Sequence, residues 1–158
     1  MTLASDISRR ACGMKVSQVF MNAVLILGCG YSGLVLAQRL SQRGIPVWGT
    51  TRKEERFEAI AAAGATPLLY EPGKTALPPS ILAKVDTVVD SVGPSWATGD
   101  DVTPAILEAL TGTTLKRFVY LSSTSVYGQQ HGGWTDEDTP CAPSAPAGIR
   151  RLGIERLL

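Results

Sequence analysis

Short apolar runs alternate with amphipathic stretches from Ala23 to Ser122, and glycine or proline punctuates most of the junctions. Ala23–Leu27 is apolar throughout, which predicts a strand covered on both faces. In Leu34–Gln42 the residues Leu34, Ala37 and Leu40 recur at helical spacing, and Gly44 supplies the stop. Pro46–Thr50 reads as a second strand, its proline at the tolerated first position. Lys53–Ala63 reads as a helix that turns Phe57, Ile60 and Ala61 inward and ends at Gly64. Thr66–Tyr70 is a third strand, Ser80–Ala83 a brief helical turn, and Thr87–Val92 a fourth strand closed by Gly93-Pro94. Pro104–Leu110 is a helix with Thr103 as its N-cap and Arg117–Ser122 a fifth strand. Gln129–Pro146 is mostly loop, and Ile149–Leu158 is a closing helix.

Strands that alternate with helices give a parallel sheet with helices on both faces. Right-handed crossovers reduce the topologies to a doubly wound sheet, the Rossmann fold. Residues 22–158 form that domain in this reading, and 1–21 form a loose extension in which Met21 is a second candidate start. The closing helix stops where a sixth strand would follow, so the sheet is expected to be C-terminally incomplete.

The junction after the first strand carries Gly28-x-Gly30-x-x-Gly33. Between a strand and a helix, this spacing is a dinucleotide fingerprint. Gly28 permits the tight turn, Gly30 lets backbone approach a pyrophosphate, and Gly33 lets the helix pack on the strand. Tyr31 and Ser32 lie in the turn, beside helix amides that attract phosphate. The same window, with Leu27-Gly28-Cys29 after an apolar stretch and Arg9, Arg10 and Lys15 upstream, has the outline of an export signal. The helix and strand that follow immediately decide against it, and Cys29 reads as a small filler residue. At the tip of the second strand stand Thr51 and Arg52, with no carboxylate to hold the ribose hydroxyls of NAD. Arg52 matches a 2′-phosphate in shape and charge, which favours NADP over NAD.

Composition narrows the partners. The chain has 158 residues, 44% hydrophobic and 18% charged, with a net charge of +1. That near-neutral balance offers nothing to nucleic acid or an anionic membrane. No run of apolar residues is long enough to span a bilayer. Three cysteines and one histidine form neither a disulfide framework nor a zinc pattern, and the expected compartment is the cytoplasm.

The stretch Arg117–Gly128, RFVYLSSTSVYG, resembles the fifth-strand motif of the extended short-chain dehydrogenase/reductase superfamily, which includes the NAD-dependent epimerases and dehydratases of sugar nucleotides. The glycine fingerprint fits the same family, and Trp134–Ser144 is similar to its acidic, proline-rich loop. The resemblance covers Ala23 to Leu158. It implies that Ser123 hydrogen-bonds the substrate oxygen as the catalytic Ser/Thr, and that Ser122, Val92 and Gly93 line the cofactor's ribose and nicotinamide. It also implies a Tyr-x-x-x-Lys pair on the next helix. Counting from Glu155, those slots hold Ala147 and Arg151. Alanine has no proton to give, and arginine stays charged, although it can hold a ribose or phosphate. The pattern is closest to atypical members of the superfamily.

Other candidates carry less. Tyr127 is a substitute acid or a packing residue, His131 a surface loop residue, and Asp136, Glu137 and Asp138 a solvated turn, with Glu137 an outside candidate for touching substrate. Asp90 either lies near the cofactor or caps a loop. Two functions remain open. One is an NADP-dependent epimerase/dehydratase or oxidoreductase acting on a small molecule such as a nucleotide sugar. The other is a non-catalytic dinucleotide-binding sensor or scaffold. A homodimer is also left open.

Overall fold

The computed structural model describes residues 21–94, 99, 101–128 and 131–158, so the expected loose extension lies outside the described residues, Met21 excepted. Five parallel strands form one sheet: β1 (Val24–Leu27), β2 (Val47–Thr51), β3 (Thr66–Leu69), β4 (Thr87–Asp90) and β5 (Arg117–Tyr120). They lie in the order β3-β2-β1-β4-β5. Helices α1 (Tyr31–Ser41), α2 (Phe57–Ala62), α3 (Pro79–Leu82), α4 (Thr103–Ala109) and α5 (Pro146–Leu157) supply the connections, with short 3-10 turns at Glu54–Arg56 and Thr124–Tyr127. This is the doubly wound Rossmann architecture expected from the alternation.

The continuous apolar run of β1 is explained by what it separates. Val24 and Ile26 point into one core with Ala37, Leu40, Val47 and Ile60, on the side of α1 and α2. Leu25 and Leu27 point into the other with Val85, Val88, Ile106 and Leu110, on the side of α4. All four β1 side chains are 0–1% exposed, and each buried aliphatic of this size contributes about 1.5–3 kcal/mol before entropy is counted. β1 is the central strand, so the alternation of a strand's two faces feeds both cores at once.

Several boundaries move, each for a local reason. Strand β4 ends at Asp90 rather than Val92, because the Asp90 carboxylate accepts the Val92 amide at 3.0 Å and turns the chain. Thr103 is the first residue of α4 rather than its N-cap; its amide donates to Asp101 Oδ1 at 3.0 Å, and its hydroxyl lies 2.9 Å from Asp90 Oδ2. The stretch read as one helix from Lys53 divides into a 3-10 turn and the shorter α2. Ala61 is exposed there, and Ala63 packs against the core in its place. β5 ends at Tyr120. Helix α5 begins at Pro146, where a missing N–H costs nothing.

The strand order reverses between β1 and β4, so the connections leave these neighbours in opposite directions. A crevice at such a switch point, outside the carboxyl ends of the strands, is where doubly wound sheets bind ligands.

Candidate functional site

That crevice is bounded by the turn after β1 and the turn after β4. Gly28 has φ +75°, and a Cβ there would stand 3.1 Å from Ser91 O and from Val92 Cγ2. Gly33 sits in the first turn of α1, where a Cβ would meet Ile26 Cγ2 at 3.2 Å and Gly28 O at 3.3 Å. Helix and strand are therefore as close as the fingerprint requires. Gly30 faces open space, with nothing nearer than Gly28 O at 3.9 Å. No side chain caps α1 and no acidic residue lies in its first turn. The leading amides of the helix therefore have no intrahelical acceptor, and the positive dipole end is uncompensated.

Two neighbours that sequence reasoning missed lock this turn. Thr50 of β2 is 2% exposed. Its hydroxyl accepts the Gly28 amide at 2.9 Å, and its carbonyl accepts the Cys29 amide at 2.7 Å. From the other side the Ser91 hydroxyl reaches Leu27 O at 3.0 Å and Gly28 O at 2.7 Å. Nothing in the local pattern marks these residues; the parallel register, which pairs β1 with both β2 and β4, brings them to the glycines.

The cleft at this crevice has a volume of about 350 Å³. Gly28, Gly30, Tyr31, Thr51, Arg52, Val92 and Gly93 all line it. Ser32 and Gly33 border a smaller adjoining cavity with Ser91 and Leu121. The structure thus gathers most of the expected cofactor residues around one crevice. Arg56, from the 3-10 turn before α2, joins Arg52 on the same wall; the four-residue spacing of the two arginines was the available signal. Neither arginine forms an ion pair among the described residues. Cys29 fills space beneath, 3% exposed. Burial pushes its thiol pKa up, against the opposing charge of Arg56.

A family model for the NAD dependent epimerase/dehydratase family matches residues 24–158. The chain belongs to that family. An NAD-dependent epimerase/dehydratase of this type is an extended short-chain dehydrogenase/reductase, as the sequence motifs implied. A curated relative, the low-salt glycan biosynthesis protein Agl12 of Haloferax volcanii, is 31% identical over 74 residues, 47% of this chain and 24% of that protein. A functionally unknown conserved protein from Silicibacter pomeroyi is 35% identical with a TM-score of 0.71, covering 85% of this chain and 46% of its own. A proposed NAD-dependent epimerase/dehydratase from Methylobacillus flagellatus is 33% identical with a TM-score of 0.67, over 88% of this chain and 50% of its own. The chain therefore spans half or less of the length of each of these relatives.

A second cavity, of about 220 Å³, opens just beyond Gly93. It brings together Ser123, Ala147 and Arg151, the three positions that the sequence resemblance suggested for a catalytic serine and the tyrosine and lysine slots. Ser123 precedes the 3-10 turn of Thr124–Tyr127, and its oxygen accepts the Ser125 amide at 3.2 Å. Among the described residues its hydroxyl shows no other hydrogen bond. Arg151 is committed: Nη1 donates to Asp101 Oδ2 at 2.9 Å and to the Tyr120 hydroxyl, and the guanidinium lies 5.1 Å from the Tyr120 ring centre. Tyr120 in turn donates to Asp101 at 2.9 Å. Burial, together with the Asp101 carboxylate and against the opposing influence of Arg151, pushes the Tyr120 pKa up to about 12.

Other expected residues fall outside both cavities. Ser122 is exposed and lines neither. Asp90 is 0% exposed and tethers Val92 and Thr103, which is the loop-capping role. Tyr127 borders a separate hollow with Asp136 and Glu137, and Asp136 closes its own turn through Thr139 at 2.8 Å. His131 is exposed with φ 50°. Among the described residues no helix is long and apolar enough to cross a membrane.

Proposed function

We propose that this chain is the cofactor-binding portion of an NADP-using epimerase, dehydratase or related oxidoreductase whose substrate is a small molecule such as a sugar nucleotide. The observation that carries this is the cleft at the β1/β4 switch point, floored by glycines and walled by Arg52 and Arg56. When bound, the dinucleotide supplies hydride transfer. Helix α1 and its leading amides hold the pyrophosphate, with Tyr31 and Ser32 alongside. Thr51 and Arg52 hold the adenosine ribose and its 2′-phosphate. Val92 and Gly93 border the nicotinamide half, and Arg151 borders its ribose. Ser123 donates its proton to a substrate oxygen and so fixes the reacting carbon. The test is fluorescence titration with NADPH and NADH. NADPH is expected to bind about tenfold tighter or more, since a charge-assisted contact contributes about 1.5–3 kcal/mol. Equal affinities would remove the NADP assignment.

A second reading, a dinucleotide-binding sensor without turnover, is favoured by one pair of facts. Ala147 brings no proton to the second cavity, and Arg151 is engaged by Asp101. The readings separate in assays of substrate conversion with a panel of sugar nucleotides and of NADPH oxidation with a panel of carbonyl compounds. Turnover excludes the sensor, and tight cofactor binding without turnover supports it.

A further inference from the structure

The second cavity has an unbalanced charge. Asp101 and Arg151 form a close ion pair, with side chains only 7% and 11% exposed, and so cancel. Arg150, one residue earlier on α5, lines the same cavity and forms no ion pair among the described residues. Its guanidinium reaches the far wall, where Nη2 would lie 3.0 Å from a Cβ placed on Gly99. Ser123 and Ser125 belong to the remaining lining. A planar cation that shares a cavity with two serines, with the nearby carboxylate already paired, can receive an oxyanion.

We propose that Arg150 is a specificity-determining residue that binds a phosphate or carboxylate of the substrate, beside Ser123. This deepens the functional reading above and rests on it, since it takes the cavity beyond Gly93 as the substrate side of the cofactor cleft. Both anions share the recognising chemistry, and the probes separate them.

The experiment is calorimetric titration of the chain with UDP, glucuronate and neutral glucose, each with and without saturating NADPH, for wild type, Arg150→Gln and Arg150→Lys. Wild type is expected to bind UDP or glucuronate and not glucose. Arg150→Gln should weaken that binding about tenfold or more, with NADPH affinity unchanged within about twofold, and Arg150→Lys should recover part of it. Response to UDP alone assigns a phosphate, and response to glucuronate alone a carboxylate. Binding of neither anion, or binding indifferent to Arg150, overturns the proposal. Loss of NADPH binding in the wild type overturns the cofactor reading instead, and the cofactor-free arm still reports on Arg150.

Discussion

Arg151 Nη1 lies 2.9 Å from Asp101 Oδ2, and this pair ties α5 to the segment leading into α4. The contact spans 50 residues of sequence, so it fixes tertiary geometry rather than local shape. Asp101 also accepts from Thr103 and Tyr120, so removing the guanidinium strands a carboxylate at the centre of a network. Its pKa is held below the ordinary carboxylate range: burial would raise it, and the bonds from Thr103 and Tyr120 together with the Arg151 charge outweigh that. Arg151→Ala is expected to cost about 3–5 kcal/mol, the penalty for leaving one partner of a buried pair uncompensated. Urea unfolding of Arg151→Ala and of Arg151→Ala/Asp101→Asn checks this. The double variant should regain part of the loss, and an Arg151→Ala cost below 1 kcal/mol would show the pair to be ornamental.

Asp90 behaves oppositely. Burial lifts its carboxyl above the ordinary value, and Asp101 adds to this, against bonds from Val92 and Thr103 and the charge of Arg151. The folded state therefore holds its proton more tightly than the unfolded chain. Stability should fall as pH rises from the ordinary aspartate range through the raised folded value, then level off. Asp90→Asn keeps an acceptor for Val92 and a hydrogen-bond partner for Thr103, and should flatten that decline. Thermal unfolding across pH 4–8, on the order of the range in which carboxylates titrate, measures it; an unchanged slope in Asp90→Asn would contradict the assignment.

Thr50 carries a similar expectation for the glycine turn. Thr50→Val removes the acceptor for the Gly28 amide, at a cost of about 1–3 kcal/mol for a donor left unsatisfied. Thr50→Ser keeps the oxygen and should lose much less. Chemical unfolding together with NADPH titration distinguishes the two, because a loosened turn should weaken the cofactor as well as the fold.

Much of this architecture was legible in the sequence. Period-dependent signals, such as the apolar run of β1 and the Leu34, Ala37 and Leu40 stripe, depend only on local spacing. So did the glycine fingerprint, whose tight approaches at Gly28 and Gly33 the structure reproduces. What could not be read was long-range. Thr50 and Ser91 look like ordinary strand-end residues until the register sets them on either side of Gly28. Thr103 was expected as a cap because threonine before proline suits that position, yet its hydroxyl lies within reach of carboxylates from β4 and its own loop. The commitment of Arg151 to Asp101 was invisible for the same reason.

In the proposed function, Arg52 just after β2 and Arg56 in the following 3-10 turn set the cofactor choice. Arg52→Ala is expected to weaken NADPH by about 1–3 kcal/mol while leaving NADH nearly unchanged, since only the former presents a 2′-phosphate. Arg56→Ala should do the same to a smaller extent, because a single residue such as Arg52 can already engage the phosphate in bidentate fashion. Paired fluorescence titrations read the ratio. Equal losses for both nucleotides would place the arginines on the shared pyrophosphate instead.

The most direct test of the dinucleotide cleft is an amide NMR titration of the purified chain with NADP+. Saturable shifts are expected first at Gly30, Tyr31, Ser32 and Gly33, where α1 meets the diphosphate, and then at Ser91 to Gly93 across the crevice. Saturation with the largest shifts elsewhere, or no saturable response to NADP+ or NAD+, would contradict the claim that this corner of the sheet holds a nicotinamide dinucleotide.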